Sequence, residues 1–298
     1  MVDKGTINAE TLEMPPRVGE FRRSLRIFMG RGIVIFGLVI IVIFLITAAF
    51  APLLAPYGPY EPDLANALSQ PSTKHLLGTD NIGRDTLSRI IYGTRISLMV
   101  GIIAVGIAAG AGMTLGLLAG YFGGWTYTII MRFMDALMAF PQILLALLIT
   151  SLLGGGLVNV MIALGISLMP GYARIMCGQV LTIKENDYII AGHSMGSSNI
   201  RMMLRHILPN SIPPLIVMIT MMMGTTILAE AGLSYLGIGV ELPTATWGGM
   251  VSDGYMYLTS NPILSFAPGL AIMIVVFSFN MVGDGLRDAL DPRLRGVI

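Results

Sequence analysis

Asp135 and Glu230 stand alone as acids inside long apolar stretches, which makes them the first residues to ask about chemistry. A charged side chain at membrane depth is costly unless it faces protein or water, so both must point inward. Arg132 lies one turn before Asp135 and can pair with it near the inner surface. Glu230 has no base on its own helix and needs a partner on another helix or subunit, or a place on an aqueous pathway. Met218, Met221, Met222 and Met223 cluster before it. Thioethers ligate soft metals, yet no Cys or His shares that stretch, so the cluster reads as gap-filling packing. The lysines (Lys4, Lys74, Lys184) follow Asp3, Thr73 and Ile183, so no glycine-led phosphate loop for ATP is present. His75, His193 and His206 fall in loops, which leaves Ser234 without an intramembrane base and rules against a protease. Cys177 is the single cysteine, so the chain offers neither an internal disulfide nor a cysteine-based zinc cage. Neither cofactor nor metal is expected on this chain.

The elements that carry these residues follow from composition. The 298 residues are 54% hydrophobic and only 12% charged, where a soluble domain carries about a quarter charged residues. Lipid is the main solvent. A net charge of +1 leaves no basic excess for nucleic acid. Crossing a hydrocarbon core takes about 20 apolar residues, and six windows qualify: 32–51, 96–118, 133–153 (with Asp135), 157–173, 212–236 (with Glu230) and 263–282. The fold class is therefore all-α, a polytopic membrane protein with six transmembrane helices. Gly154, Gly155 and Gly156 read as a tight turn between the third and fourth. Ala49-Phe50-Ala51 has the form of a cleavage site, but the apolar run and the stretch before it are too long for a signal peptide, so the first window is read as a retained helix.

Lys and Arg counts orient the bundle. With the N-terminus inside, fourteen of the 18 fall in inner segments and four (Lys74, Arg84, Arg89, Arg95) outside, so both termini are expected in the cytoplasm. The organisation is then an inner N-terminal segment 1–31, a first helix 32–51, an external loop 52–95, a five-helix core 96–283 with an inner loop 174–210, and an inner tail 284–298. Small residues at Gly106-x-x-x-Gly110 and Gly112-x-x-x-Gly116-x-x-x-Gly120 suit close helix packing. Pro141, Pro170 and Pro268 predict kinks.

The inner loop reads DYIIAGHSMGSSNIRMMLRHILPN from Asp187 to Asn210. It suggests a short helix over 187–195, a glycine break at 196–198, and a second helix from 199 that ends near Pro209. Ala191, Gly192, Gly196, Leu208 and Pro209 match in type and spacing the "EAA" loop of ABC importer permeases, with Ile190 in place of the Glu and His206 in place of the first Ile. LGTDNIGRDTLSRIIYGTRISL (77–98), GYFGG (120–124), MRFMD (131–135), GLSYLGIG (232–239) and FNMVGDGLRDALDPRLRG (279–296) extend the match. From about residue 20 onward the chain resembles the dipeptide, oligopeptide and nickel importer permeases, in the branch of the second of two paired subunits.

That resemblance implies a type I ABC importer permease fold in a bacterial or archaeal cytoplasmic (inner) membrane. It implies a second homologous permease, two ABC ATPase subunits that hold the ATP and Mg, and an extracytoplasmic solute-binding protein as partners. The inner loop, with Asp187 at its start, would dock on an ATPase. Arg84, Asp85 and Arg89 would either hold an amphipathic helix at headgroup level or dock an external partner. Asp284, Arg287, Asp288, Asp291, Arg293 and Arg295 would form a solvated face or an inter-subunit lock. Short peptides lead as substrate and nickel or a nickel chelate follows. A standalone secondary carrier is the alternative of another class, disfavoured because the two halves show no repeated pattern.

Overall fold

The computed structural model describes residues 28–240 and 243–290, and apart from one bridge between Thr79 and Asp85 every regular element among them is helical. They are α1 (Gly32–Ala49), α2 (Ala51–Leu54), a single 3₁₀ turn (Leu64–Asn66), α3 (Thr86–Phe122), α4 (Gly124–Met138), α5 (Gln142–Leu153), α6 (Leu157–Lys184), α7 (Asp187–Ser194), α8 (Asn199–Met202), a wide π turn (Met203–Ile207), α9 (Leu208–Tyr235), α10 (Trp247–Tyr255) and α11 (Ile263–Leu290). Five segments are long and apolar enough to cross a membrane: α1, α3, α6, the run Asn199–Tyr235 and α11. A sixth crossing exists if α4 and α5, bent by 93° to each other, count as one. Residues 1–27, 241–242 and 291–298 lie outside the described residues, and with them most of the N-terminal segment and Asp291, Arg293 and Arg295 of the tail.

The core is a pair of backbones in contact. A methyl group at Gly112 would lie 2.5 Å from the Met169 carbonyl oxygen, one at Gly116 would overlap that of Ala173, and one at Gly120 would lie 2.8 Å from Val180 Cβ. Three glycines one turn apart therefore let α3 and α6 approach as closely as lipid-embedded helices can, where dispersion takes over from the hydrophobic effect. Gly106 and Gly110 have no atom within 4 Å of such a methyl, so this second small-residue face is unfilled in the chain. Gly154 and Gly156, at φ +86° and +109°, make the expected turn into α6.

Several boundaries differ from the sequence reading, each for a physical reason. Helix α3 starts at Thr86, not near 96, because Asp85 caps it by accepting from the Ser88 backbone N–H at 2.8 Å. Arg89 and Arg95 thus belong to a helix, and the external loop is shorter than 52–95. The third window is broken at Pro141, whose ring excludes the preceding residue from helical geometry; the result is a sharp bend rather than a kink. Helix α6 continues past 173 to Lys184, since Met176, Cys177, Val180 and Ile183 keep a buried face at helical spacing. The inner loop therefore begins at Glu185 instead of 174. The helix after it does not end at Pro209. That proline lies inside the continuous run Asn199–Tyr235, where it removes one N–H from the ladder, and the π turn just before it accommodates the ring. Helix α11 runs to Leu290 and carries Asp284, Arg287 and Asp288, so most of the described tail is a continuation of the sixth span; Asp288 forms an ion pair with Arg31 at the start of α1. Helix α10 was not expected at all. Its Trp247 is fully buried and donates from Nε1 to the Ile90 carbonyl at 3.0 Å.

Candidate functional site

The inner loop is largely exposed and has a defined shape. Asp187 is exposed in the first turn of α7, where the helix dipole favours an acid. Ile189 is fully buried and anchors the helix, while Gly192 faces Met202 so closely that a methyl there would meet its Cε at 2.9 Å. The end of α7 is a Schellman motif: Gly196 N–H donates to the His193 carbonyl at 2.9 Å and Ser197 N–H to that of Gly192 at 3.1 Å, with Gly196 at φ +80°. Exposed apolar side chains flank this anchor: Tyr188 and Ile190 on either side of Ile189, Met195 at the C-cap of α7, and Ile200 and Leu204 on the segment that follows. Ala191 is exposed beside them. Of the residues assigned to this loop from sequence, Leu208 and Pro209 stand apart, in the first turn of α9, where Leu208 packs against the main core.

The loop is tied to the bundle through Tyr121, the penultimate residue of α3. Its hydroxyl donates to Asn199 Oδ1 at 2.9 Å and lies 3.4 Å from His193 Nε2. Lys184 Nζ donates to the Tyr121 carbonyl at 2.8 Å and stands 5.8 Å from the centre of its ring. No pattern of spacing announces this cluster, because its members come from four helices.

The two intramembrane acids are not equivalent. Asp135 is half-exposed and pairs with Arg174 Nη2 on α6 at 2.6 Å; Arg132, the partner read from sequence, is 4.0 Å away. The interhelical partner is nearer because α6 extends past Ala173 and brings Arg174 across from α4. Glu230 is fully buried, with Oε1 accepting from Ser234 Oγ at 2.8 Å and Oε2 unpartnered. Its side chain is enclosed by the chain itself, which sets it apart from Asp135.

Arg84, Asp85 and Arg89 are 5%, 3% and 2% exposed, so they lie inside the outer cap rather than on its surface. This corrects both the headgroup-level helix and the external docking read from sequence, since a partner cannot reach side chains that the loop already encloses. Arg84 Nε donates to Asp80 Oδ2 at 2.6 Å, Arg89 Nε stands 3.6 Å from the same oxygen, and His75 Nδ1 lies 2.9 Å from Asp85 Oδ1. A small cavity between the loop and α10 is lined by Asp80, Thr86, Arg89, Asp253 and Tyr257. Burial pushes the Asp253 carboxyl above the ordinary carboxylate range, and the Arg89 charge pulls it part of the way back. Asp80 and Asp253 escaped the sequence reading; the Asp80–Arg84 spacing was the available signal for the first.

Residues 112–296 match the family described as binding-protein-dependent transport system inner membrane component. The chain belongs to this family of permeases. Residues 20–71 of the permease match the N-terminal transmembrane domain of oligopeptide transport permease C. It is 44% identical over 278 residues to the dipeptide transport system permease protein DppC of Alkalihalophilus pseudofirmus, covering 93% of this chain and 91% of that one. It is 42% identical to the glutathione transport system permease protein GsiD of Pectobacterium atrosepticum, covering 92% and 90%. The fold is that of a chain in the inward-facing MetNI methionine ABC transporter, at a TM-score of 0.56 and 18% identity over 68% of the permease and 96% of that chain. The type I importer fold expected from the resemblance is the fold observed.

Proposed function

We propose that this permease forms the membrane path of an ATP-driven importer for short peptides and that α7 is the element a cytoplasmic ATPase pushes. The observation that carries the reading is the shape of α7: a short helix anchored by Ile189, ended by a glycine-dependent motif and presenting Tyr188, Ile190 and Met195 outward. A short surface helix with a fixed stop and exposed apolar side chains on its flanks is suited to seat in a groove of another protein. The names of the relatives, dipeptide and glutathione permeases, favour a peptide over nickel. The complex would comprise a second homologous permease, two ATPases that bind ATP and Mg, and an extracytoplasmic binding protein that selects the substrate.

Gly196→Leu tests the coupling role. At φ +80° a side chain strains the backbone, although no atom stands within 4 Å to resist it sterically, so the effect comes from reshaping the end of α7. In reconstituted vesicles the variant should insert normally and lose most substrate uptake together with binding-protein-stimulated ATP hydrolysis. Wild-type levels of both sink the assignment. The orientation proposed from the Lys/Arg asymmetry puts α7 and both termini in the cytoplasm. In Cys177-free protein, cysteine labelling from outside should reach residue 70 and spare residue 290; the reverse pattern overturns it.

A further inference from the structure

We propose that Tyr121 is a positioning residue through which the inner loop moves helix α3, and that α3 carries this movement as a rigid rod to the outer cap. The inference rests on the coupling role proposed for α7 and names the joint that role requires.

A push on α7 does work across the membrane only if something stiff connects the loop to the far side. Helix α3 has the length: 37 residues, about 55 Å at 1.5 Å per residue. It also has attachments at both ends. At the inner end the Tyr121 hydroxyl, on a residue 5% exposed, bonds Asn199 after the glycine break and stands within reach of His193 near the end of α7, so one side chain holds both halves of the loop. Lys184 reaches the Tyr121 carbonyl from the end of α6 and satisfies one of the acceptors that the last turn of α3 leaves open. Along its last third, the close approach at Gly112, Gly116 and Gly120 joins α3 to α6 backbone to backbone, which suppresses sliding of one against the other. At the outer end the Ile90 carbonyl accepts from Trp247 of α10, and Arg89 is buried against Asp80 and Pro59 of the outer loop. The same helix thus touches the loop on one side of the membrane and the cap on the other. Movement of α7 relative to α3 would be absorbed at the glycine break unless a directed bond resisted it, and the Tyr121 hydroxyl is the group placed to do so.

The test uses the full transporter in vesicles and reads the ATP consumed per substrate imported. Tyr121→Phe removes one oxygen and leaves the ring against Phe122 and under Lys184. Losing one hydrogen bond at a coupling joint should raise the ratio about three- to tenfold. Asn199→Leu, which removes the Asn199 bond and leaves the His193 contact, should raise it by no more than Tyr121→Phe, and the double variant should match Tyr121→Phe, because that change already removes the shared bond. Asn199→Asp keeps an acceptor for the hydroxyl and should hold the ratio near wild type, a rescue that loss of packing alone does not give. An unchanged ratio in Tyr121→Phe overturns the proposal. So does a complex that no longer assembles, which assigns the residue to folding instead. If the wild-type complex itself imports no peptide at the expense of ATP, the proposed function fails, and that result is separate from the comparison among variants.

Discussion

The outer cap and the inner loop bracket the same helix and are built in opposite ways. In the cap, charges are enclosed: Arg84 and Arg89 converge on Asp80, and Asp85 holds His75 and the first turn of α3. In the loop, the apolar side chains of α7 are exposed and its end depends on a glycine at positive φ. A buried network costs desolvation that is recovered only if every partner stays in place, so such a structure resists deformation. A short helix with exposed apolar side chains has few contacts within its own chain to lose and can be displaced by a partner. The difference assigns stiffness to the cap and a more yielding surface to the loop, with α3 between them.

The largest effect that sharpens this comparison should come from Arg89. Arg89→Leu takes a buried guanidinium from Asp80, which keeps Arg84, and from the Pro59 carbonyl, and should destabilise the permease by about 1.5–3 kcal/mol, the scale for hydrogen bonds to a charged group. Asp187→Asn, on the exposed first turn of α7, loses only a dipole interaction, typically less than about 1 kcal/mol. Thermal unfolding in detergent, followed by tryptophan fluorescence, measures both. If the two variants shift the midpoint equally, the contrast between a stiff cap and a yielding loop does not hold.

The contrast also shows which parts of the structure were legible in the sequence. Charge-free windows and small-residue spacing depend on residues a few positions apart, so the six apolar segments, the Gly154–Gly156 turn and the Gly196 break could be read directly. The cap could not be. Arg89 reads as a loop or headgroup charge until its neighbour from α10, Asp253, is brought across by folding, and Trp247 finds its acceptor at Ile90, 157 residues away. Asp135 is half legible for the same reason: the Arg132 pair is near in sequence and is present at 4.0 Å, while Arg174, nearer in space at 2.6 Å, comes from another helix. Pro209 suggested a helix end because the π turn that accommodates it leaves no signature in composition.

The rod between the two regions supplies the smaller predictions, in a pair. Gly116→Leu drives a side chain into the Ala173 carbonyl and should cost about 1–3 kcal/mol as overpacking, with α3 and α6 forced apart where they are closest. Gly106→Ala, on the same helix and with the same sequence spacing, meets nothing within 4 Å. In the isolated permease it should cost no stability and can add the ~0.5–1 kcal/mol by which Ala is favoured over Gly inside a helix. The pair separates two meanings of one sequence pattern: a small-residue stripe already filled by α6, and a stripe that the chain leaves open. Repeating the unfolding measurement on the assembled transporter extends the test. If Gly106 faces hydrocarbon, Ala costs no stability there either. A loss that emerges only in the assembly puts a second helix against this face, and a loss already present in the isolated permease contradicts the open face.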